Sequence, residues 1–127
     1  MKIECINHLS ASELAFIKRL LPMRTYNCDV NAVYRGNIPH VGFILVDGKI
    51  KLKKKTKNKK SEKYLDIGAV VGIKELSEGS PFPFDLEIEN GATVCIIDKS
   101  TLTELIEKRE EMKIGRILDH LSLRTVA

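Results

Sequence analysis

The chain has no tryptophan, and only four phenylalanines, three tyrosines and three cysteines among 127 residues. Cys5, Cys28 and Cys95 are odd in number, widely scattered and free of any CxxC spacing, which excludes a disulfide framework or a cysteine metal site. Reduced thiols in a cytoplasmic protein are expected. His8, His40 and His120 share no ligand spacing, so no metal is expected. No apolar run approaches the length of a membrane span, and MKIECINHLS is not a signal peptide. No nucleophile sits in a recognisable elbow and no acidic pair stands out, so neither an enzyme nor a cofactor is expected. One further gap matters below: no arginine occurs between Arg35 and Arg109.

What is present begins with charge. The formal net charge is +4, but Lys49–Lys63 alone holds nine lysines and one glutamate, so this stretch carries +8 and the remaining residues −4. The protein is therefore a mildly acidic body with one concentrated cationic element, not a generally basic nucleic-acid binder.

The apolar pattern is mainly that of strands. Val41–Leu52, VGFILVDGKIKL, is a near-continuous apolar run, an Asp47-Gly48 turn, and then strict alternation with Ile50 and Leu52 opposite Lys49, Lys51 and Lys53. Asp-Gly supplies positive φ values, so a hairpin with a type I′ turn is expected here. Asn90-Gly91 predicts a second hairpin. Eight short strands are expected, near 25–28, 32–35, 41–46, 49–56, 63–67, 69–71, 84–89 and 92–98. Ser10-x-x-Glu13 reads as a capping box opening a helix that Pro22 closes, and Thr101-x-x-Glu104 as a second box. The expected organisation is a single domain of residues 1–127, mainly β with flanking helices. It comprises a helix at about 10–21, an eight-stranded antiparallel β-roll or jelly roll at about 25–98, and C-terminal helices at about 101–124.

This order, together with local motifs, resembles cyclic-nucleotide-binding domains of the catabolite activator protein family. Tyr26 stands ten residues before Gly36, Gly68 and Gly72-x-x-x-Leu76 resemble the phosphate-binding cassette, and Gly79-x-Pro81 fits the loop after it. The family has a glutamate after the second glycine that binds the ribose hydroxyl. This chain has Ile73, followed by Lys74. The family's phosphate-binding arginine lies in the loop after Gly79, where this chain reads Ser80-Pro81-Phe82-Pro83-Phe84. Asp29 replaces a usual glycine.

Charge-assisted hydrogen bonds contribute about 1.5–3 kcal/mol each. Losing both contacts weakens binding by roughly 3–6 kcal/mol, or two to four orders of magnitude. Cyclic AMP and cyclic GMP are thus expected to bind weakly or not at all, and the chain is expected to act as a non-catalytic interaction or regulatory module. The alternative is a sensor with a rebuilt pocket for a cyclic nucleotide or another anion. Ile73→Glu with Phe82→Arg is expected to raise nucleotide affinity if the cassette backbone is kept.

Three further elements have a functional and a plain reading. Phe82 and Phe84 either fill the space of a lost ligand or form an exposed patch for a partner. Lys53, Lys54, Lys55, Lys57, Lys59 and Lys60 form either a solvated loop or a docking element for an acidic protein surface. Specific DNA binding is not expected from one isolated tip. Ile114, Ile117, Leu118 and Leu121 either cover the roll or form a homodimer seam. The resemblance also implies that a DNA-reading domain is missing, because the chain stops at Ala127.

Overall fold

Two apolar runs, Val41–Val46 and Val94–Ile97, lack the alternation of a half-exposed strand because both faces of each are covered. In the computed structural model, which describes residues 7–108, they lie at the centre of a three-layer arrangement. The strands are β1 (Asn7–His8), β2 (Met23–Thr25), β3 (Val30–Val33), β4 (Val41–Asp47), β5 (Ile50–Thr56), β6 (Lys59–Leu65), β7 (Ala69–Val71), β8 (Asp85–Ile88) and β9 (Thr93–Asp98). The helices are α1 (Ala11–Leu20), α2 (Ile73–Glu78) and α3 (Lys99–Glu107). A five-stranded sheet runs β1-β7-β4-β9-β2 and faces a four-stranded sheet running β3-β8-β5-β6, with every pairing antiparallel. The two antiparallel sheets form a jelly roll.

Side-chain alternation along β4 distributes the run between two cores. Phe43 and Leu45 point between the sheets, joining Ile50, Leu52, Leu86 and Ile88. Ile44 points the other way, onto Leu14 and Ile17 of α1 and Leu102 and Leu105 of α3. β9 does the same, with Val94 inward and Cys95 and Ile97 under the helices. β5 has only one buried face, and its alternation is correspondingly strict: Ile50 and Leu52 are fully buried while Lys51 and Lys53 face outward.

Neither Asp47-Gly48 nor Asn90-Gly91 closes a hairpin, contrary to the expectation from sequence. β4 and β5 belong to different sheets, as do β8 and β9. β4–β5 and β8–β9 instead run antiparallel to each other as one long ribbon, with Asp47 opposite Thr93 and Ile50 opposite Ile88. Both turns are the corners where this ribbon folds from one sheet to the other. A side chain on Gly48 (φ +83°) would meet the Ala92 Cα at 2.7 Å, so the corners pack directly together. A dipeptide that favours positive φ specifies a change of direction but not the strand that is met afterwards.

The Ser10 capping box is present, with Ser10 N donating to Glu13 Oε1 at 2.9 Å and Glu13 N to Ser10 Oγ at 3.2 Å. The second expected box is not the cap of α3. That role falls to Asp98, whose Oδ1 accepts from Thr101 N at 2.7 Å and from Ser100 Oγ at 3.0 Å. The bond from Thr101 N, with those from Thr101 and Ser100, holds the Asp98 carboxyl below its ordinary value of 3.8. Its stabilising contribution is therefore complete above that value and lost as pH falls through the lowered one. Asp98→Asn should flatten the acid limb of a thermal-stability profile while keeping the cap, whereas Asp98→Ala should destabilise at neutral pH as well. The C-terminal stripe of Ile114, Ile117, Leu118 and Leu121 lies outside the described residues.

Candidate functional site

The segment that resembles the cassette begins just before β7 of the five-stranded sheet. Gly68 (φ +94°) is wedged against Leu9, whose carbonyl oxygen would lie 2.7 Å from an added Cβ, and its N–H donates to Leu45 O at 2.8 Å. Gly72 (φ +79°) then turns the chain into the short helix α2, and Gly79 (φ +67°) ends it, both in the left-handed region. The two glycines thus bound one and a half helical turns, too short a segment to show an apolar period.

The side chains differ from those of a phosphate site. Ile73 is 1 % exposed and packs, with Leu76, into the core beneath the helices. Lys74 is exposed. Glu75 is half-buried, and desolvation raises its carboxyl above 4.5. The following loop is fixed by its backbone: Ser80 N donates to Glu75 O at 3.0 Å, Phe82 N to Asn37 O at 2.9 Å, and Gly36 N to Phe82 O at 2.9 Å. Pro81 and Pro83 face outward, and Phe82 between them turns inward. It is 3 % exposed, lies in the inter-sheet core with Phe43 and Val71, and meets the Phe84 ring edge-on at 6.0 Å. The reading of Phe82 as an exposed patch is therefore corrected. Phe84 is partly buried against the same core. Ile73 and Phe82, which the resemblance sets around one nucleotide, belong to two separate cores.

The lysine run is not a loop. β5 and β6 pair over seven residues, from Ile50 opposite Leu65 to Thr56 opposite Lys59, and turn at Lys57-Asn58. Its base is neutralised. Lys51 Nζ lies 3.5 Å from Glu87 and 3.6 Å from Glu89, and Lys53 Nζ lies 3.1 Å from Glu87. Burial opposes the charge on Lys51, but Glu87 and Glu89 outweigh it and hold its pKa above 10.5. Lys49 and Lys51 also lie over the Tyr64 ring at 5.3 and 5.6 Å.

Asp29 completes this network, and its carboxylate lies within 4.8 Å of Glu87 and Glu89. Asp29 is lowered by the Asn90 N–H and by Glu89, while Glu89 is raised by desolvation and by Asp29. Lys51 and Lys53 supply the counter-charge for these three acids, which form an ion-pair network on the outer face of the sheet. Toward the tip the balance changes. Lys55, Lys57, Lys59 and Lys60 are exposed and Lys54 is partly so, with Glu62 lying 3.3 Å from Lys60. Arg35 adds a further cation there, its Nη1 donating to Lys55 O at 3.0 Å.

The split of the lysine run was missed from sequence, although a signal existed. Glu87 and Glu89 alternate in Leu86–Glu89 as Lys51 and Lys53 do in β5, which is the pattern of two strands sharing a charged face.

No family model matches the sequence, and no curated protein matches it. Solved structures do match the fold. A protein described for a cyclic-GMP-dependent signalling pathway in bacterial phytopathogenesis is 21% identical, with a TM-score of 0.70 over 89% of this chain and 97% of that one. A cyclic-nucleotide-binding domain from Methylobacillus flagellatus is 15% identical, with a TM-score of 0.68 over 90% of this chain and 67% of that one. The catabolite activator protein of Thermus thermophilus is 15% identical, with a TM-score of 0.65. The match covers 91% of this chain but only 58% of that protein. The fold is that of the cyclic-nucleotide-binding jelly roll. Among the described residues no helix is long and apolar enough to cross a membrane.

Proposed function

We propose that this chain is a non-catalytic regulatory module that has lost nucleotide binding and engages an acidic protein surface through the β5–β6 ribbon. The burial of Phe82 carries the reading. An aromatic ring occupies the inter-sheet core from the loop in which the family presents its phosphate-binding arginine. Arg35, the nearest arginine before this loop in sequence, is turned to the ribbon instead. The first neighbour above is described for cyclic-GMP signalling and is matched over 97% of its length, but Ile73 and Phe82 offer no hydrogen-bond donor or acceptor in their side chains to a ribose or a phosphate.

Among the described residues the ribbon carries the concentrated exposed positive charge. Its base is held by Glu87 and Glu89, and its tip presents the exposed lysines as a single cationic projection. Such a tip accelerates encounter with an acidic surface and touches too few phosphates to clamp a duplex.

Fluorescence anisotropy with labelled polyglutamate and labelled duplex DNA, at physiological salt, tests this half of the proposal. Replacing Lys54, Lys55, Lys57, Lys59 and Lys60 with serine should weaken polyglutamate binding about tenfold or more and flatten its salt dependence, with the melting temperature almost unchanged. Sub-micromolar affinity for the duplex, or polyglutamate binding that ignores the substitutions, would overturn it.

A further inference from the structure

Among the described residues both sheets end in unpaired strands, and the edges formed by β2 and β3 are protected by their own geometry. β2 is three residues long. β3 has four residues and a register shift between Asn31 and Val33. Short strands, bulges and edge lysines are the usual devices by which a sheet prevents further strands from adding. β6 is neither short nor bulged: it is seven residues long, pairs with β5 without any shift in register, and is guarded by its lysines alone.

The ribbon also treats its two edges differently. β8 pairs with β5 only as far as Lys53, so the rest of β5 is open on that side. Arg35 closes it there with its bond to Lys55 O, and its own N–H is anchored by Asp85 Oδ1 at 2.8 Å. Among the described residues no strand pairs with the outer edge of β6.

From this we infer that β6 is a strand-addition site for an extended acidic segment of a partner protein. The inference rests on the proposed acidic partner and specifies how that partner is held. Side chains alternate along β6, so Lys59 and Lys63 stand on one face and Lys60 on the other. An added strand would place its own side chains beside these lysines on both faces, where acidic residues give favourable cross-strand pairs. The same lysines repel a second copy of this edge, so charge selects an acidic strand over self-association. Backbone hydrogen bonds along β6 supply the hold, and the lysines supply steering and selection.

The probe is an eight-residue peptide alternating glutamate and threonine, compared with the same peptide N-methylated at alternate residues in either phase. N-methylation removes backbone donors and leaves the charge intact. One methylated phase should bind about tenfold more weakly than the parent peptide. The unmethylated peptide should also slow hydrogen exchange of backbone amides in residues 59–65. Equal binding of all three peptides without new amide protection would overturn strand addition while leaving the acidic-partner reading intact. Failure of polyglutamate and of every peptide to bind at low salt would overturn both.

Discussion

Phe82→Ala should destabilise the protein by about 3–5 kcal/mol, lowering the melting temperature by about 10–20 °C, as read by calorimetry or circular dichroism. Phe82 is almost fully buried between the sheets and packs edge-on against Phe84, so its loss opens a cavity that rigid, paired strands cannot close. A ring in a solvated ligand loop would cost little when truncated. Phe82→Arg should be worse still, because the guanidinium would enter an apolar core without an acidic partner. Ile73→Glu with Phe82→Arg should therefore unfold the protein rather than raise nucleotide affinity. The exchange suggested by the family motif fails because these two side chains occupy different cores.

Gly48→Val should be comparably severe, at about 2–6 kcal/mol from two additive causes. A valine at φ +83° is strained by about 1–3 kcal/mol, and its Cβ would press on the Ala92 backbone, at about 1–3 kcal/mol more. Gly91→Val separates the two. Gly91 has φ +88° and nothing within 4 Å of an added Cβ, so only the strain contribution should appear. Equal losses at the two positions would mean that the corners do not pack together.

The sequence and the structure agree where burial has a period that can be counted. α1 was legible from Ser10, Glu13 and its apolar stripe, and β4, β5 and β9 from their runs of apolar or alternating residues. The sheet crossings were not legible, because Asp47-Gly48 and Asn90-Gly91 carry local conformation and the choice of partner strand is made across the roll. α2 was missed because six residues between two left-handed glycines are too few to reveal a helical period. Asp98 was overlooked as a cap because Thr101 and Glu104 offered an equally plausible box three residues later. The departures from the family motif, Ile73 and the absence of an arginine, are visible in the sequence itself. Whether Phe82 faced inward could not be read, since Pro-Phe-Pro-Phe fits a buried plug and an exposed patch equally well. The lysine run looked isolated because its counter-charges, Glu87 and Glu89, are distant in sequence and lie one strand away in the sheet.

Isothermal titration of the intact chain with cyclic AMP and with cyclic GMP at low salt tests the proposed loss of nucleotide binding most directly. With neither the arginine nor the glutamate contact available, the expected dissociation constants are no tighter than about 100 μM for either nucleotide. A low-micromolar constant for either one would contradict it, and would mean that the roll recognises the phosphate without the two family contacts.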